Sequence, residues 1–398
     1  MEELFETYAE NNNFVITKNF LNTLKKAGIY SDDPRIIQTK KKLKEYNGHL
    51  TREQFLECFT PSEEVILRAL NGKMIIPNFE KFTDFVEQIY NEIKSESSGN
   101  VADYIPQLAK VDPNKFAISI CTIDGQRYNI GDSSDQFCIQ SCCKPINYCI
   151  ALEEHGPEYV HAHVGHEQSG QRFNAIIFDE NNLPHNPLIN AGAIMTCSMI
   201  QNTTIIDCAS RFENVLSIWK KLVGGKNVGY NNSVYLSERD SADVNHALAR
   251  IMKAKDVFPK NTDITKVLDF YFQCCSLMLS SDAFAITAAT LANGGICPTT
   301  YEHIFNANTV RNCMSIMYSS GMYDYSGEFA FTVGIPGKSG VGGGIYLVIP
   351  NIMGICIWSP KLDKFGNSVR GILFCKKLTE RYNFHNFDNV NNKINPTV

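Results

Sequence analysis

Apolar positions in the first part of the chain recur at helical spacing. Phe82, Phe85, Val86, Ile89, Tyr90 and Ile93 fall on one helix face. Thr60-Pro61-Ser62-Glu63 reads as a capping box with proline at the first helical position, a start signal. Small polar residues with a glycine follow at 95–100 and mark a linker. Beyond it the pattern mixes periods. Residues 116–122 and 341–358 predict strands, the latter two joined at Pro350-Asn351. Residues 144–154, 211–223, 264–278 and the small-residue run 283–292 predict helices. Strands from both ends flanking a helical middle predict an α+β domain with an antiparallel sheet over 101–387. An Asn-rich flexible tail follows at 388–398.

Within residues 1–94, Phe14-Val15-Ile16 and Met74-Ile75-Ile76 each follow an Asn- or Gly-containing loop and precede a helix. That layout resembles paired EF-hands in a small all-helical domain. A calcium loop needs oxygen ligands at alternate positions, an internal Gly and a closing Glu. Neither Asn11-Asn12-Asn13 nor Asn71-Gly72 has that set, so a docking module without calcium is expected.

Composition narrows the function classes. The chain has 398 residues, 44% hydrophobic and 20% charged, as in ordinary globular proteins. A net charge of −5 supplies no basic field for nucleic acid. The longest apolar stretch, residues 345–358, is too short to span a bilayer. Fourteen cysteines without a framework predict reduced thiols in a cytosol-like or matrix-like compartment. The acidic start Met1-Glu2-Glu3-Leu4 is neither a signal core nor an Arg-rich presequence, so the expected location is cytoplasmic, or mitochondrial with a presequence absent from this chain.

The candidate chemistry centres on Ser141-Cys142-Cys143-Lys144-Pro145. A Ser and a Lys three residues apart share a helix face, and a neutral amine can take the serine proton where no histidine serves as base. Pro145 sets this pair at a helix N-terminus, where free N–H groups suit an oxyanion. Ser217 and Lys220 repeat the spacing without such a stop signal, and the plain alternative for Ser141 is an N-cap.

Lys338-Ser339-Gly340 heads a predicted strand and resembles the Lys-Thr/Ser-Gly element of β-lactamase and penicillin-binding enzymes, which supplies a cation beside the serine. A phosphate loop fails there, because its first glycine would fall on Thr332. His161, His163 and His166 lack a fourth ligand and read as solvated histidines, so no metal is expected. The paired cysteines Cys142, Cys143, Cys274 and Cys275 read as packed apolar groups. Tyr323, in a turn-rich loop, is a candidate proton shuttle to a leaving nitrogen or a structural tyrosine.

The blocks VADYIPQLAK (101–110), QSCCKP (140–145), HNPLINAGAI (185–194), Ser237-Glu238-Arg239, LANGG (291–295), 321–327 and 338–344 resemble the glutaminases over about 101–387. The N-terminal region is similar to that of animal kidney-type members. The resemblance implies a β-lactamase-like fold with a helical lobe and serine-dependent hydrolysis of L-glutamine to L-glutamate and ammonia. It implies Ser141 as nucleophile, Lys144 as base and Tyr323 as shuttle. Tyr104, Asn190, Glu238, Asn245, Tyr271 and the Val341 backbone match the positions that hold glutamine. Glu238 suits the α-ammonium and the Asn and Tyr donors the α-carboxylate.

No cofactor is implied, inorganic phosphate is implied as an activator, and the implied assembly is a homotetramer able to form filaments. Residues 171–187 match a gating loop with Phe173, Ile177 and Phe178. Ala175 replaces a lysine of the animal enzymes there, a departure that weighs against phosphate dependence and the allosteric inhibitor site. The C-terminal ankyrin repeats of larger animal forms are not in this chain. Lys144 must lose its charge, a fall from about 10.4 towards 7–8 that demands roughly 3–4 kcal/mol from its surroundings, with burial and Lys338 as expected sources. Competing readings are a β-lactamase-type hydrolase on other acyl substrates and a catalytically silent oligomeric scaffold.

Overall fold

The computed structural model describes residues 1–10, 13–201, 207–388 and 394–397. Its centre is a five-stranded antiparallel sheet in the order Arg127–Gly131, Ala117–Thr122, Met353–Trp358, Gly344–Ile349, Gly337–Ser339. The inner strands are buried on both faces, which is why they read as continuous apolar runs. Ile118, Ile120, Ile345, Leu347, Ile355 and Ile357 pack on one side with helices Phe79–Ile93 and Val369–Arg381. Cys121, Tyr346, Val348 and Cys356 point to the other, with helix Ser281–Ala292 and the helical lobe. That helix is rich in alanine because it lies almost on the sheet backbone; a Cβ on Gly354 would collide with Ala288 and Ala289.

Several expectations change. The N-terminal part is not all-helical: Ala9–Glu10, Phe14–Ile16 and His49–Leu50 form a small antiparallel sheet. Met74-Ile75-Ile76 forms no strand. The capping box lies at Thr51 and Gln54, not at Thr60. Thr60 has helical dihedrals and continues a short 3-10 turn, so it cannot adopt the extended geometry of a cap. Helix Phe79–Ile93 belongs by packing to the central sheet rather than to the N-terminal module. The helix expected over 264–278 stops at Cys275, and Leu277–Ser280 pairs as a strand with Gln136–Cys138 and Gly229–Tyr230. The helix expected over 144–154 runs Lys144–His161 with a break at Gly156, ahead of Pro157. The tail expected from 388 lies mostly outside the described residues, as do Asn11 and Asn12.

The module is joined to the sheet through the turn between Ala117–Thr122 and Arg127–Gly131. Gln126 donates to the carbonyls of Ala27 and Ile76, both at 3.2 Å, and accepts from the Ile76 N–H. The Arg127 N–H donates to Gly28 O at 2.8 Å, satisfying an edge strand. Among the described residues, no helix is long and apolar enough to cross a membrane.

Candidate active site

Ser141 sits in a 3-10 turn, Gln140–Cys143, that runs directly into the helix Lys144–His161. The Lys144 N–H donates to the Ser141 carbonyl. Side chains three apart eclipse in such a turn, so Ser141 and Lys144 lie one above the other. Pro145 occupies the second helical position, where its missing N–H costs nothing. Ser217 and Lys220 instead lie on an exposed helix face, with the Ser217 hydroxyl donating to Asn214 O.

The turn is braced by the strand Gly337–Ser339 and the loop after it. The Cys142 thiol lies 3.7 Å from Lys338 O and 3.6 Å from Gly344 O. A Cβ on Gly340 would sit 2.6 Å from Ile139 O, so only glycine lets the loop approach the Ser141 turn.

One cavity of about 330 Å³ gathers Tyr104, Ser141, Asn190, Glu238, Asn245, Tyr271, Val341 and Phe173. These residues come from separate helices and loops, and the fold alone brings them together. Lys144 and Lys338 lie fully buried beside it. Lys144 Nζ donates to Asn190 Oδ1 at 2.7 Å and Leu188 O at 3.3 Å. Asn190 Nδ2 donates to Asn245 Oδ1 at 3.1 Å, and the Tyr271 hydroxyl donates to Asn190 Oδ1 at 3.5 Å.

Burial draws Lys144 down to about 8. Lys338 falls to about 7 through burial and then the nearby charge of Lys144. Burial is the larger cause at both lysines, and the expected repulsion between their charges adds to it. Lys338 Nζ donates to Ser339 O at 2.5 Å and stands 4.5 Å above the Tyr323 ring.

Tyr323 is buried, with a left-handed φ of 55°. Burial keeps its phenol protonated, against opposing interactions with Ser141 and the Val341 backbone. Its hydroxyl completes no hydrogen bond of regular geometry among the described residues, and neither does Ser339 Oγ. At the far end, Glu238 accepts from the Tyr104 hydroxyl at 2.6 Å and Gln140 Nε2 at 3.0 Å. Burial raises its pKa. Tyr104 as a residue is 49% exposed while its hydroxyl reaches inside to Glu238.

Of the loop residues, Phe173 lines the cavity and packs 4.7 Å from the Tyr323 ring. Ile177 and Phe178 do not line it: after a turn closed by the Ala175 N–H on Arg172 O, Phe178 packs against the helical core. Gln140, Asn174, Ser241 and Cys275 also line the cavity and carry no local signal in the sequence. Gln140 has φ 49°, which no composition rule reveals. His161 is not a solvated histidine. It is half-buried, 2.7 Å from the Tyr148 hydroxyl and stacked on His166.

Known proteins are similar to this chain in sequence and architecture. The glutaminase family model matches residues 99–387, and an EF-hand domain model matches residues 1–77. Putative glutaminase 2 of Caenorhabditis elegans is 45% identical over 99% of this chain and 68% of its own length. The mitochondrial liver isoform of glutaminase from Mus musculus is 44% identical over 97% of this chain, which spans 65% of that protein. The solved structure of a probable glutaminase, ybaS, is 37% identical with a TM-score of 0.71, covering 75% of this chain and 96% of that one. Mglu in its glutamate form is 33% identical with a TM-score of 0.69, over 75% of this chain and 68% of that one. With a β-lactamase-like sheet and helical lobe, the Ser141 cavity and these relatives agreeing, the chain belongs to the glutaminase family.

Proposed function

We propose that this glutaminase hydrolyses L-glutamine to L-glutamate and ammonia through an acyl-enzyme on Ser141, with Lys144 as base and Tyr323 as proton shuttle. The observation that carries the reading is the state of Lys144. It is buried, has no carboxylate partner among the described residues, and is held down to about 8. A base poised near the working pH is what proton abstraction requires. Two of its N–H positions are engaged by Asn190 and Leu188, and the third is left to exchange a proton with Ser141.

Ser141 Oγ attacks the side-chain amide carbon of glutamine as its proton passes to Lys144. The Val341 N–H and the free N–H groups at the helix start receive the developing oxyanion. Collapse breaks the C–N bond, and the nitrogen leaves as ammonia with a proton relayed through Tyr323. Water then attacks the γ-glutamyl ester, its proton returning through Lys144, and glutamate departs. Glu238 takes the α-ammonium in place of the Tyr104 and Gln140 donors, while Asn190, Asn245 and Tyr271 serve the α-carboxylate. A site that recognises both groups of a free amino acid leaves buried partners unpaired when glutamine is part of a peptide.

Phe173, set against Tyr323, supports a gating role for residues 171–187. Self-association to a homotetramer and filaments, activity without any cofactor, and residence in mitochondria are further parts of this reading; the mitochondrial liver isoform of Mus musculus supports the last, while Ala175 weighs against a need for inorganic phosphate. Ammonia release from glutamine, with and without phosphate, tests it. Turnover is expected in the wild-type chain and lost in Ser141→Ala; residual turnover in that variant contradicts the covalent route.

A further inference from the structure

Below the cavity, two thiols face each other. Cys143 closes the 3-10 turn that carries Ser141, and Cys275 ends the helix Ile264–Cys275 that carries Tyr271. Their sulfurs are 3.9 Å apart. Cys275 lines the substrate cavity, whereas Cys143 lies behind it. Of the fourteen cysteines only Cys208 is exposed, so the cavity is the route by which a small reagent reaches this pair.

We propose that Cys143 and Cys275 form a dithiol site for trivalent arsenicals of the type R–As(OH)2, whose capture disables the enzyme. The reaction is a condensation: two S–H and two As–O bonds break, two As–S and two O–H bonds form. Two waters leave and arsenic stays trivalent. Geometry favours this bridge over a disulfide. An S–S bond of about 2.04 Å would draw the two sulfurs together by roughly 1.9 Å, against two closely packed segments. An S–As–S bridge spans a gap near van der Waals contact with far less movement.

The acid–base state of the pair points the same way. Burial raises Cys143, and the contact with Cys143 together with burial raises Cys275. Oxidation by peroxide runs through a thiolate and is suppressed in such a pair, whereas condensation with an arsenical consumes neutral thiols. A bound R–As group occupies the floor of a cavity of about 330 Å³ and displaces the turn beneath Ser141.

The probe is phenylarsine oxide, applied to the full chain. Intact-mass and peptide mapping are expected to find one arsenic bridging the peptides of Cys143 and Cys275. Glutaminase turnover is expected to fall about 100-fold, the scale of a small displacement of a catalytic group. Glutamate should slow the loss, and 2,3-dimercaptopropanol but not a monothiol should restore activity. Cys143→Val should remain active and resist the reagent. Arsenic mapped to other cysteines, or equal inhibition of Cys143→Val and wild type, overturns the proposal. If Cys143→Val fails to fold, the wild-type peptide map decides alone. That map is independent of turnover, so it separates this inference from the proposed reaction.

Discussion

Arg127 and Lys226, at the junction of the N-terminal module with the sheet, and Lys144 and Lys338, beside the cavity, are cations withdrawn from water under opposite conditions. Arg127 is paired with Asp32 and Asp282, and Lys226 binds the same two carboxylates. Burial alone would lower the Arg127 pKa, but the carboxylates outweigh it and the pKa rises. Burial likewise works against Asp32, yet its cationic partners take it down to about 2. Lys144 and Lys338 have carbonyl, amide, aromatic and thiol neighbours but no carboxylate partner among the described residues, and both lose hold of their protons near neutrality. A paired buried cation fixes geometry; an unpaired one becomes a base. The fold spends stability at the cavity and recovers rigidity at the junction.

Substitutions separate the two regions. The largest effect is expected from Ser141→Ala, with kcat reduced by about 10⁴-fold or more while the circular dichroism spectrum is unchanged. Lys144→Met should follow at a similar scale in kcat. Arg127→Met should do the reverse: it leaves Asp32 and Asp282 with Lys226 as their shared cation and removes a guanidinium stacked 4.9 Å from the Tyr30 ring. Half-exposure of Asp32 moderates the cost, so a loss of about 2 kcal/mol in denaturant unfolding is expected, with kcat per folded molecule retained. A fall in kcat equal to that of Lys144→Met would erase the distinction.

Lys338→Met should raise thermal stability at pH 7 by about 1–2 kcal/mol, since it removes a buried unpaired charge. The sign of its pH dependence is set by the depressed pKa of Lys338. Between about 7 and the unfolded value the unfolded chain binds more protons, so the wild type gains stability as pH rises and the advantage of Lys338→Met shrinks towards pH 10. The smallest effect is the junction's own titration. Asp32 contributes stability above its unfolded pKa that is lost as pH falls towards about 2, and Asp32→Asn should flatten that acid limb.

What could be read in advance follows the range of the interactions. The Ser141–Lys144 turn was legible because proline, serine and lysine all act within one helical turn. The inner strands were legible as apolar runs bounded by turns. Asn190, Glu238, Asn245 and Tyr271 entered only by resemblance, because each sits on its own helix with no local mark of a shared cavity. The helix Phe79–Ile93 shows an apolar face but not what covers it, hence its assignment to the wrong side of the linker. Gln140 stayed hidden because its role depends on a left-handed backbone and a partner 98 residues away.

In the proposed mechanism a buried lysine without a carboxylate partner among the described residues supplies the base. The pH dependence of kcat/KM for glutamine tests it most directly, because it reports ionisations of the free enzyme. Activity is expected to climb with pH through a limb centred near 8, shared between the two lysines as a pair. A profile already flat by pH 6 would contradict it.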